Sequence, residues 1–331
     1  MRSTLTIRVA AAATAAVALA GCGAGPALVG VHDAPSETTT TAPVAPDTAA
    51  TIAARVLADA ARARSATGEE AKDLRAKALT GPALTVSSAD SRLAKAGSTS
   101  ADPVTKPTAP KVLGISRGAA FPRVMLVQST REDGGALVLN LLVSAEAAAP
   151  FKLAASAPMQ PGTSVAALDP LEAGSPLTSD GKGLAIAPEA LLTEYAASLA
   201  YPKPAPAPHV QSGDRFADAV RTNARTQSSS LKALATLTQK HNAQPETAVA
   251  ISLKDGGAVV FGLMERVDTV ALKPSGKSLT PSADFQRLLG KKTLTKRAEM
   301  RTYETVVFTV PPKGKATLVA VDETLVSAKG E

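Results

Sequence analysis

The side chain with the most distinctive chemistry in this chain is its only thiol, that of Cys22. A thiolate is both a nucleophile and a metal ligand, so a lone cysteine could carry a covalent modification or take part in catalysis. Because the chain has no second cysteine, neither an intrachain disulfide nor a thiolate metal cluster can form. Stability must therefore come from a packed core, and Cys22 is left for a reaction of its own.

The residues before Cys22 have the pattern of an export signal. Arg2 and Arg8 give a positive start, an apolar stretch follows over residues 9–20, and small residues lead up to the cysteine. This stretch is shorter than the roughly 20 residues that a membrane-spanning helix needs, and Thr14 interrupts it. We therefore predict a signal peptide over residues 1–21 rather than a permanent membrane span.

Residues 19–22 have the sequence LAGC and resemble the lipobox of bacterial lipoproteins. This resemblance implies that the signal is cut before Cys22 and that acyl chains such as palmitate are attached to the new terminus. Two or three chains hold a protein at a membrane, whereas one holds it only marginally. The predicted location is the extracytoplasmic face of the cell membrane; the alternative is an ordinary secretory signal with a chance cysteine. Residues 22–46, rich in Pro, Thr, Ala and Gly, are expected to form a lipidated flexible tether.

Serine motifs of hydrolases occur three times, but none has the partners that catalysis requires. Residues 114–118 match the nucleophile elbow around Ser116, yet a strand rather than a helix is predicted to follow. No histidine outside the tether occurs in the first half of the chain to act as a base. The Ser-x-x-Lys pairs at residues 179–182 and 229–232, expected in a loop and in mid-helix, lack the companion motifs of penicillin-recognising enzymes. We predict no catalytic residues.

The three histidines, His32, His209 and His241, do not predict a metal site, because none has a second ligand at helical spacing. His209 is expected to be exposed in a proline-rich connector. His241 is expected at the C-terminal end of a helix, where it would interact with the helix dipole. Residues 271–278 (ALKPSGKS) lack the first glycine of a phosphate-binding loop, so no nucleotide or other cofactor is predicted.

Charge indicates which partners to expect. The formal net charge is +7, and residues 187–331 hold 19 basic against 14 acidic side chains. The densest basic cluster consists of Lys291, Lys292, Lys296, Arg297 and Arg301. An exported basic surface could bind anionic phospholipid or wall polymer, and the alternative is a solvated loop. Nucleic acid is not an expected partner, because aromatic residues make up only 3% of the chain and tryptophan is absent.

The elements that must position these residues are marked by an internal repeat. Residues 133–139 (DGGALVL) match residues 255–261 (DGGAVVF). Asp-Gly and Gly-Gly supply the positive φ angles of tight hairpin turns, so each copy predicts an antiparallel hairpin. The paired strands would be residues 124–127 with 136–143, and residues 249–253 with 258–264.

Helical patterns precede each hairpin. In the first half, Asp47 is expected to cap a helix over residues 48–64, a capping box at residues 67–70 to start a second, and residues 83–95 to continue as helix. In the second half, Pro188 opens a helix through residue 200. After a connector over residues 201–213, Asp214 is expected to cap a long helix that ends near His241. Tyr195 and Tyr201, which flank the connector between the two units, are predicted packing residues at the domain junction.

Further strands complete a helix-then-sheet pattern in both halves. Residues 150–157 and 266–273 are expected to return after the two hairpins, and residues 302–310 with 316–325 to form a last hairpin. Residues 97–110 and 158–182 are expected to be loops. We therefore predict an α+β protein of two tandem units, with domains over residues 47–186 and 187–331.

This organisation resembles that of uncharacterised lipoproteins from high-GC Gram-positive bacteria. The residues that carry the resemblance are 149–153 (APFKL), 159–162 (MQPG) and 189–196 (EALLTEYA). Their units look like the cystatin-like or nuclear-transport-factor-2-like cone, in which helices lie against a curved antiparallel sheet. The resemblance implies an apolar cavity for a small hydrophobic ligand or a docked peptide, and it supplies no active site.

The function predicted from these observations is a non-catalytic binding or protein-interaction module of the cell envelope. One alternative is the solute-binding lipoprotein of an importer, although such receptors have parallel sheets rather than the hairpins predicted here. Another is a cavity-based enzyme, which would need a polar pair such as Asp or Glu with Tyr; a buried carboxylate with a raised pKa would favour it. Oligomeric state is not predicted.

Overall fold

The computed structural model describes residues 41–95, 107–131, 135–178 and 180–331. The predicted signal, Cys22, His32 and almost all of the tether lie outside these residues, as do Ser179 and residues 132–134 of the first hairpin turn. All of the described residues belong to one compact unit. No helix within the described ranges is long and apolar enough to cross a membrane.

The described residues form six helices and eight strands. The helices are α1 (Pro46–Ser65), α2 (Ala71–Ala78), α3 (Gly81–Lys95), α4 (Pro188–Ser198), α5 (Arg215–Leu231) and α6 (Ala283–Leu289). The strands are β1 (Pro107–Ile115), β2 (Arg123–Arg131), β3 (Leu137–Ser144), β4 (Lys152–Pro158), β5 (Ala235–Ser252), β6 (Ala258–Leu272), β7 (Arg297–Val310) and β8 (Thr317–Gly330).

The strands form two four-stranded antiparallel sheets. Their orders are β1-β2-β3-β4 and β5-β6-β7-β8, so every strand pairs with its neighbour in the sequence. Helices α1 to α3 precede the first sheet, and α4 and α5 precede the second. This confirms the predicted α+β class with two tandem helix-then-sheet units. The likeness to a cystatin-like or nuclear-transport-factor-2-like cone stays a prediction.

The two sheets pack against each other, and each has helices on its other face. In β2, Val124 and Leu126 belong to the cluster between the sheets, whereas Met125 and Val127 pack with α1, because successive strand residues point to opposite faces. The second sheet directs Phe261 towards the first sheet, and its opposite face packs against α4 and α5. A continuous apolar core thus joins the two halves. The domain boundary after residue 186 stays a prediction.

The segment between the two halves contacts both edge strands of the second sheet. The predicted loop begins one residue late, because Pro158 ends β4; residues 159–182 contain no helix or strand apart from isolated bridges, and Ser179 is not described. Met159 forms a bridge with Ala320 in β8, and Leu177 forms one with Ile251 in β5. Backbone hydrogen bonds of 2.8–3.0 Å flank both bridges. This segment therefore continues the hydrogen bonding of β5 and β8 beyond the sheet itself.

The long helix predicted after Asp214 is shorter than expected. The carboxylate of Asp214 caps α5 as predicted, since Oδ1 accepts a hydrogen bond from the backbone N–H of Ala217 at 2.7 Å. The helix ends at Leu231, however, and the chain around His241 is the middle of β5. Buried and exposed residues alternate strictly from Ala235 to Asn242. That period of two fits a strand and not a helix.

Of the other local predictions, some are confirmed and some are wrong. Both hairpins, the last hairpin, the helix at Pro188 and the helix over residues 83–95 are confirmed. The separate strand expected over residues 266–273 is wrong, because β6 runs unbroken to Leu272 and pairs on both sides. Helix α1 begins one residue before Asp47, with Pro46 in its first turn, and no side chain caps α2.

Candidate functional site

A cleft of about 90 Å³ opens between the first sheet and the helices α1 and α3. About half of the residues that line it are aliphatic, and these include Leu57, Ala61, Ala83, Val86, Val138 and Leu153. Pockets that enclose a whole drug-sized ligand have volumes of about 300–1,000 Å³. This cleft therefore has room for one end of such a molecule.

The floor of the cleft is polar. The amide of Asn140 lies between two serines: its Nδ2 donates to Oγ of Ser129 at 3.0 Å, and its Oδ1 accepts from Oγ of Ser156 at 3.0 Å. These three residues come from β3, β2 and β4 and occupy neighbouring register positions on the face that α1 covers. Hydroxyl groups can rotate to suit a partner, so the floor can offer hydrogen bonds to a polar group above it.

Charged side chains stand around the cleft. Arg64 at the end of α1 lies 3.8 Å from Asp90 of α3. Arg131 of β2 and Asp322 of β8 also line it. The cleft therefore combines apolar walls, a neutral polar floor and charges of both signs, a composition that suits an amphipathic ligand.

A wider depression of about 250 Å³ lies between α1, α2 and the start of β4. Its lining includes the charged residues Arg55, Asp59 and Lys77, and the side chains of its other lining residues, Val56, Ala78, Pro150 and Phe151, cannot form hydrogen bonds. The cleft above the first sheet is therefore the better candidate for a ligand site.

The second sheet carries a buried ionic network that the sequence analysis did not predict. Nδ1 of His241 lies 2.7 Å from Oε2 of Glu304, and both side chains are 0% exposed. Nη1 of Arg266 donates to the other oxygen of Glu304 at 3.1 Å. The prediction that His241 lies at a helix end and interacts with the helix dipole is wrong. Its position on an inward-facing register of β5 places it instead against a carboxylate.

Two further residues extend this network along the sheet. Nε of Arg266 donates to Asp268 at 3.2 Å, and Nε2 of Gln239 donates to the second oxygen of the same carboxylate at 2.6 Å. Arg266 also donates to Glu323, whose side chain is 41% exposed. Burial by itself would lower the pKa of Arg266, but the carboxylates, Glu304 foremost, raise it.

Burial raises the pKa of Glu304, although the contacts with His241 and Arg266 oppose that shift. A buried carboxyl with a raised pKa beside a histidine is a combination that general acid-base catalysis uses. A catalytic group must also touch its substrate, and both side chains of this pair are fully buried. The geometry therefore supports an internal hydrogen-bonded pair and gives no catalytic assignment.

Tyr195 is a packing residue, as predicted, but it lies in the core of the second half and not at a domain junction. Its ring meets Phe308 edge-on with 5.0 Å between ring centroids, and its hydroxyl donates to Oδ1 of Asp214 at 3.0 Å. Burial is the main cause that raises the pKa values of both Tyr195 and Asp214. Tyr201 is half-buried, and its backbone pairs with Gln239 in β5.

The serine motifs have ordinary structural roles where they are described. Ser116 follows β1 in a strand-end turn, as predicted, and its buried hydroxyl accepts a hydrogen bond from the backbone N–H of Val124 at 2.9 Å. Of the two Ser-x-x-Lys pairs, the first includes Ser179, which lies outside the described residues. The second occupies the last turn of α5 and not its middle, with Lys232 just beyond the helix.

The structure does not bring His209 and the residues of the basic cluster together in one site. His209 lies in the connector, where Nδ1 is 2.8 Å from Glu194 and about half of its side chain is exposed. Within the described ranges, no group of three or more acidic, histidine or cysteine side chains could hold a metal ion. The basic cluster divides into two parts, because Arg297 and Arg301 both pair with Glu299, and Arg301 also pairs with Glu265.

The comparisons with known proteins identify a family but no activity. The family described as "Domain of unknown function (DUF8094)" matches residues 44–330. No curated protein and no solved structure matches the chain.

Proposed function

The chain belongs to the DUF8094 family, and from this premise we propose that it is an exported, lipid-anchored binding protein of the extracytoplasmic membrane face. Its ligand would be a small amphipathic molecule that inserts one end into the cleft above the first sheet, with a polar group against the floor and apolar atoms against the aliphatic side chains. The observation that carries the proposal is the polar floor of Ser129, Asn140 and Ser156 beneath aliphatic walls.

The shape and chemistry of the cleft favour binding over catalysis. Apolar walls contribute affinity in proportion to the apolar area that they bury, about 25 cal/mol per Å². A few hydrogen-bonding groups then fix the orientation of the ligand. Neither a histidine nor a cysteine lines the cleft. A non-catalytic module is therefore the function that its geometry supports best.

The importer receptor is less well supported. Both described sheets are antiparallel, whereas the receptors of importers alternate strands and helices around parallel sheets. The enzyme alternative requires a polar pair such as Asp or Glu with Tyr inside a cavity, and neither Tyr195 with Asp214 nor His241 with Glu304 lines the cleft.

Filling the cleft is expected to abolish ligand retention. In an Ala61→Phe variant the phenyl group would occupy the space between α1 and α3, because Ala61 lines the cleft. Native mass spectrometry of the protein, purified from its own membranes in mild detergent, should show an adduct beyond the lipid anchor in the parent and none in the variant. Ala58→Phe is the matched control, since Ala58 is an exposed position on the same helix. A parent without any adduct, or an adduct that persists in Ala61→Phe, would contradict a ligand in the cleft.

Replacing the predicted acylation site is expected to release the protein from the membrane. A Cys22→Ser variant lacks the thiol that the lipobox resemblance assigns to acylation, and so it should appear in the soluble extracytoplasmic fraction without labelled palmitate. A Ser36→Ala variant, changed in the same tether, should remain membrane-bound and labelled. The anchor would be refuted by a Cys22→Ser protein that still carries the label.

A further inference from the structure

Positive charge is concentrated at one end of the second sheet. Residues 272–297 contain seven basic side chains and a single acidic one, Asp284, in a chain whose formal net charge is +7. This segment leaves β6, includes α6 and enters β7. Lys232, which directly follows α5, adds another cation. We call residues 272–297 together with residues 232–234 the basic end.

The parts of the basic end are held together by contacts among them. The backbone N–H of Lys273 donates to the carbonyl of Leu234 at 2.8 Å, which joins the two chain segments. Leu279 and Leu294 form a bridge across the loop. A small apolar cluster that includes Phe285 and Leu294 lies beneath. The cations are therefore presented by a packed element of the fold.

Much of this charge is not neutralised by the protein. Lys277 and Lys292 are exposed, and no carboxylate of the described residues lies within ion-pair distance of either. Nζ of Lys291 donates to the main-chain carbonyl of Gly330 at 2.9 Å, a contact that leaves its positive charge uncompensated. Lys296 lies 3.7 Å from Glu331, but the two side chains are 75% and 71% exposed, and such pairs contribute little.

An exposed apolar side chain lies beside these lysines. Leu234 is 41% exposed and belongs to the turn between α5 and β5, next to Lys232. Lysines around an exposed leucine are typical of protein surfaces that bind at a membrane interface, where the cations meet anionic headgroups and the apolar group enters the boundary of the acyl chains. A wall polymer would use the charges but gives no role to Leu234.

We propose that the basic end binds the headgroups of anionic phospholipids, so that the folded unit lies against the membrane to which it is tethered. This inference rests on the membrane location proposed above. Each lysine near an anionic surface contributes about 1 kcal/mol to binding, a roughly fivefold change in affinity. The tether then limits where the protein diffuses, and the basic end sets which of its faces is turned to the lipid.

The test uses the secreted, unacylated chain with Cys22→Ser, so that binding does not depend on the anchor. It should sediment with vesicles of phosphatidylglycerol and phosphatidylcholine but not with vesicles of phosphatidylcholine alone. Raising the salt concentration from about 0.1 M to about 0.5 M should release it, because salt screens exposed charges. Reversing three lysines of the basic end (Lys277→Glu, Lys291→Glu and Lys292→Glu) should weaken binding by about a hundredfold or more.

The matched control reverses three exposed lysines elsewhere. Lys72→Glu, Lys182→Glu and Lys254→Glu change the net charge equally and leave the basic end intact. This control should keep most of the binding to anionic vesicles, and Leu234→Ser should reduce it severalfold. Equal losses in the two lysine triples, or no binding by the parent, would overturn the inference. Either result would leave the cleft and the Cys22 anchor to be judged by their own experiments.

Discussion

A Glu304→Ala variant is expected to lose about 3–5 kcal/mol of unfolding free energy. Removing Glu304 leaves the buried Nδ1 of His241 without its partner and takes away one of the three carboxylates that Arg266 binds, and breaking such a buried pair typically costs about this much. Glu304 is fully buried and holds both His241 and Arg266. Urea denaturation of the Cys22→Ser protein, followed by circular dichroism, measures the change.

Glu323→Ala is the matched control for this prediction. Glu323 binds the same Arg266 but is 41% exposed, so its loss is expected to cost less than about 1 kcal/mol. Similar losses in the two variants would show that burial of Glu304 has no special weight.

The pH dependence separates the charge of Glu304 from the space that its side chain fills. Because its pKa in the folded protein is above the ordinary value of 4.5, the folded state keeps this proton at pH values where the unfolded chain has lost it. The contribution of Glu304 therefore falls as the pH rises from about 4.5 through the folded pKa. Relative to the parent, Glu304→Gln should become steadily more stable over that interval, and a constant difference would contradict the shift.

The second large effect is expected at Phe261, which lies between the two sheets. Replacing a buried phenylalanine with alanine costs about 3–5 kcal/mol, and Phe261 packs in the cluster to which both sheets contribute. If this shared core makes the chain one cooperative unit, Phe261→Ala should lower the hydrogen-exchange protection of β2 and of β7 by the same free energy. Exchange measured by mass spectrometry reads the two strands separately.

Phe308→Ala provides the comparison that decides between one unit and two. Phe308 is equally buried, but its cluster contains residues of the second half alone. In a single cooperative unit this variant also lowers the protection of β2. If β2 kept its protection while β7 lost it, the two halves would unfold independently, as the predicted boundary after residue 186 implies.

The elements that were predicted well have local signals. Pro188 and Asp214 mark helix starts, and the repeated Asp-Gly-Gly turns mark hairpins, because each of these residues acts on a backbone only a few positions away. The sequence does not predict the beginning of β5, because the polar residues before His241 are also compatible with a continued helix. This segment becomes a strand by pairing with β6, and that pairing exists only in the folded chain.

The candidate sites were less predictable for the same reason. His241 and Glu304 are separated by 63 positions, and the floor of the cleft joins three strands. The one available signal was Glu304 itself, a charged residue at an inward position between Thr302 and Val306 in a largely apolar strand. That signal marks a buried charge but does not identify its partners. Contacts between the two sheets left no mark on either half of the sequence.

The segment of residues 158–182 limits the sheet edge through which copies of the protein could pair. A bare sheet edge can recruit another chain by strand pairing, which is a route to aggregation. Through Met159 and Leu177, this segment occupies part of the hydrogen-bonding groups of both edge strands in the second sheet. Proteins crowded onto a membrane meet one another far more often than free ones do. A connector that already occupies these edges would keep such neighbours apart.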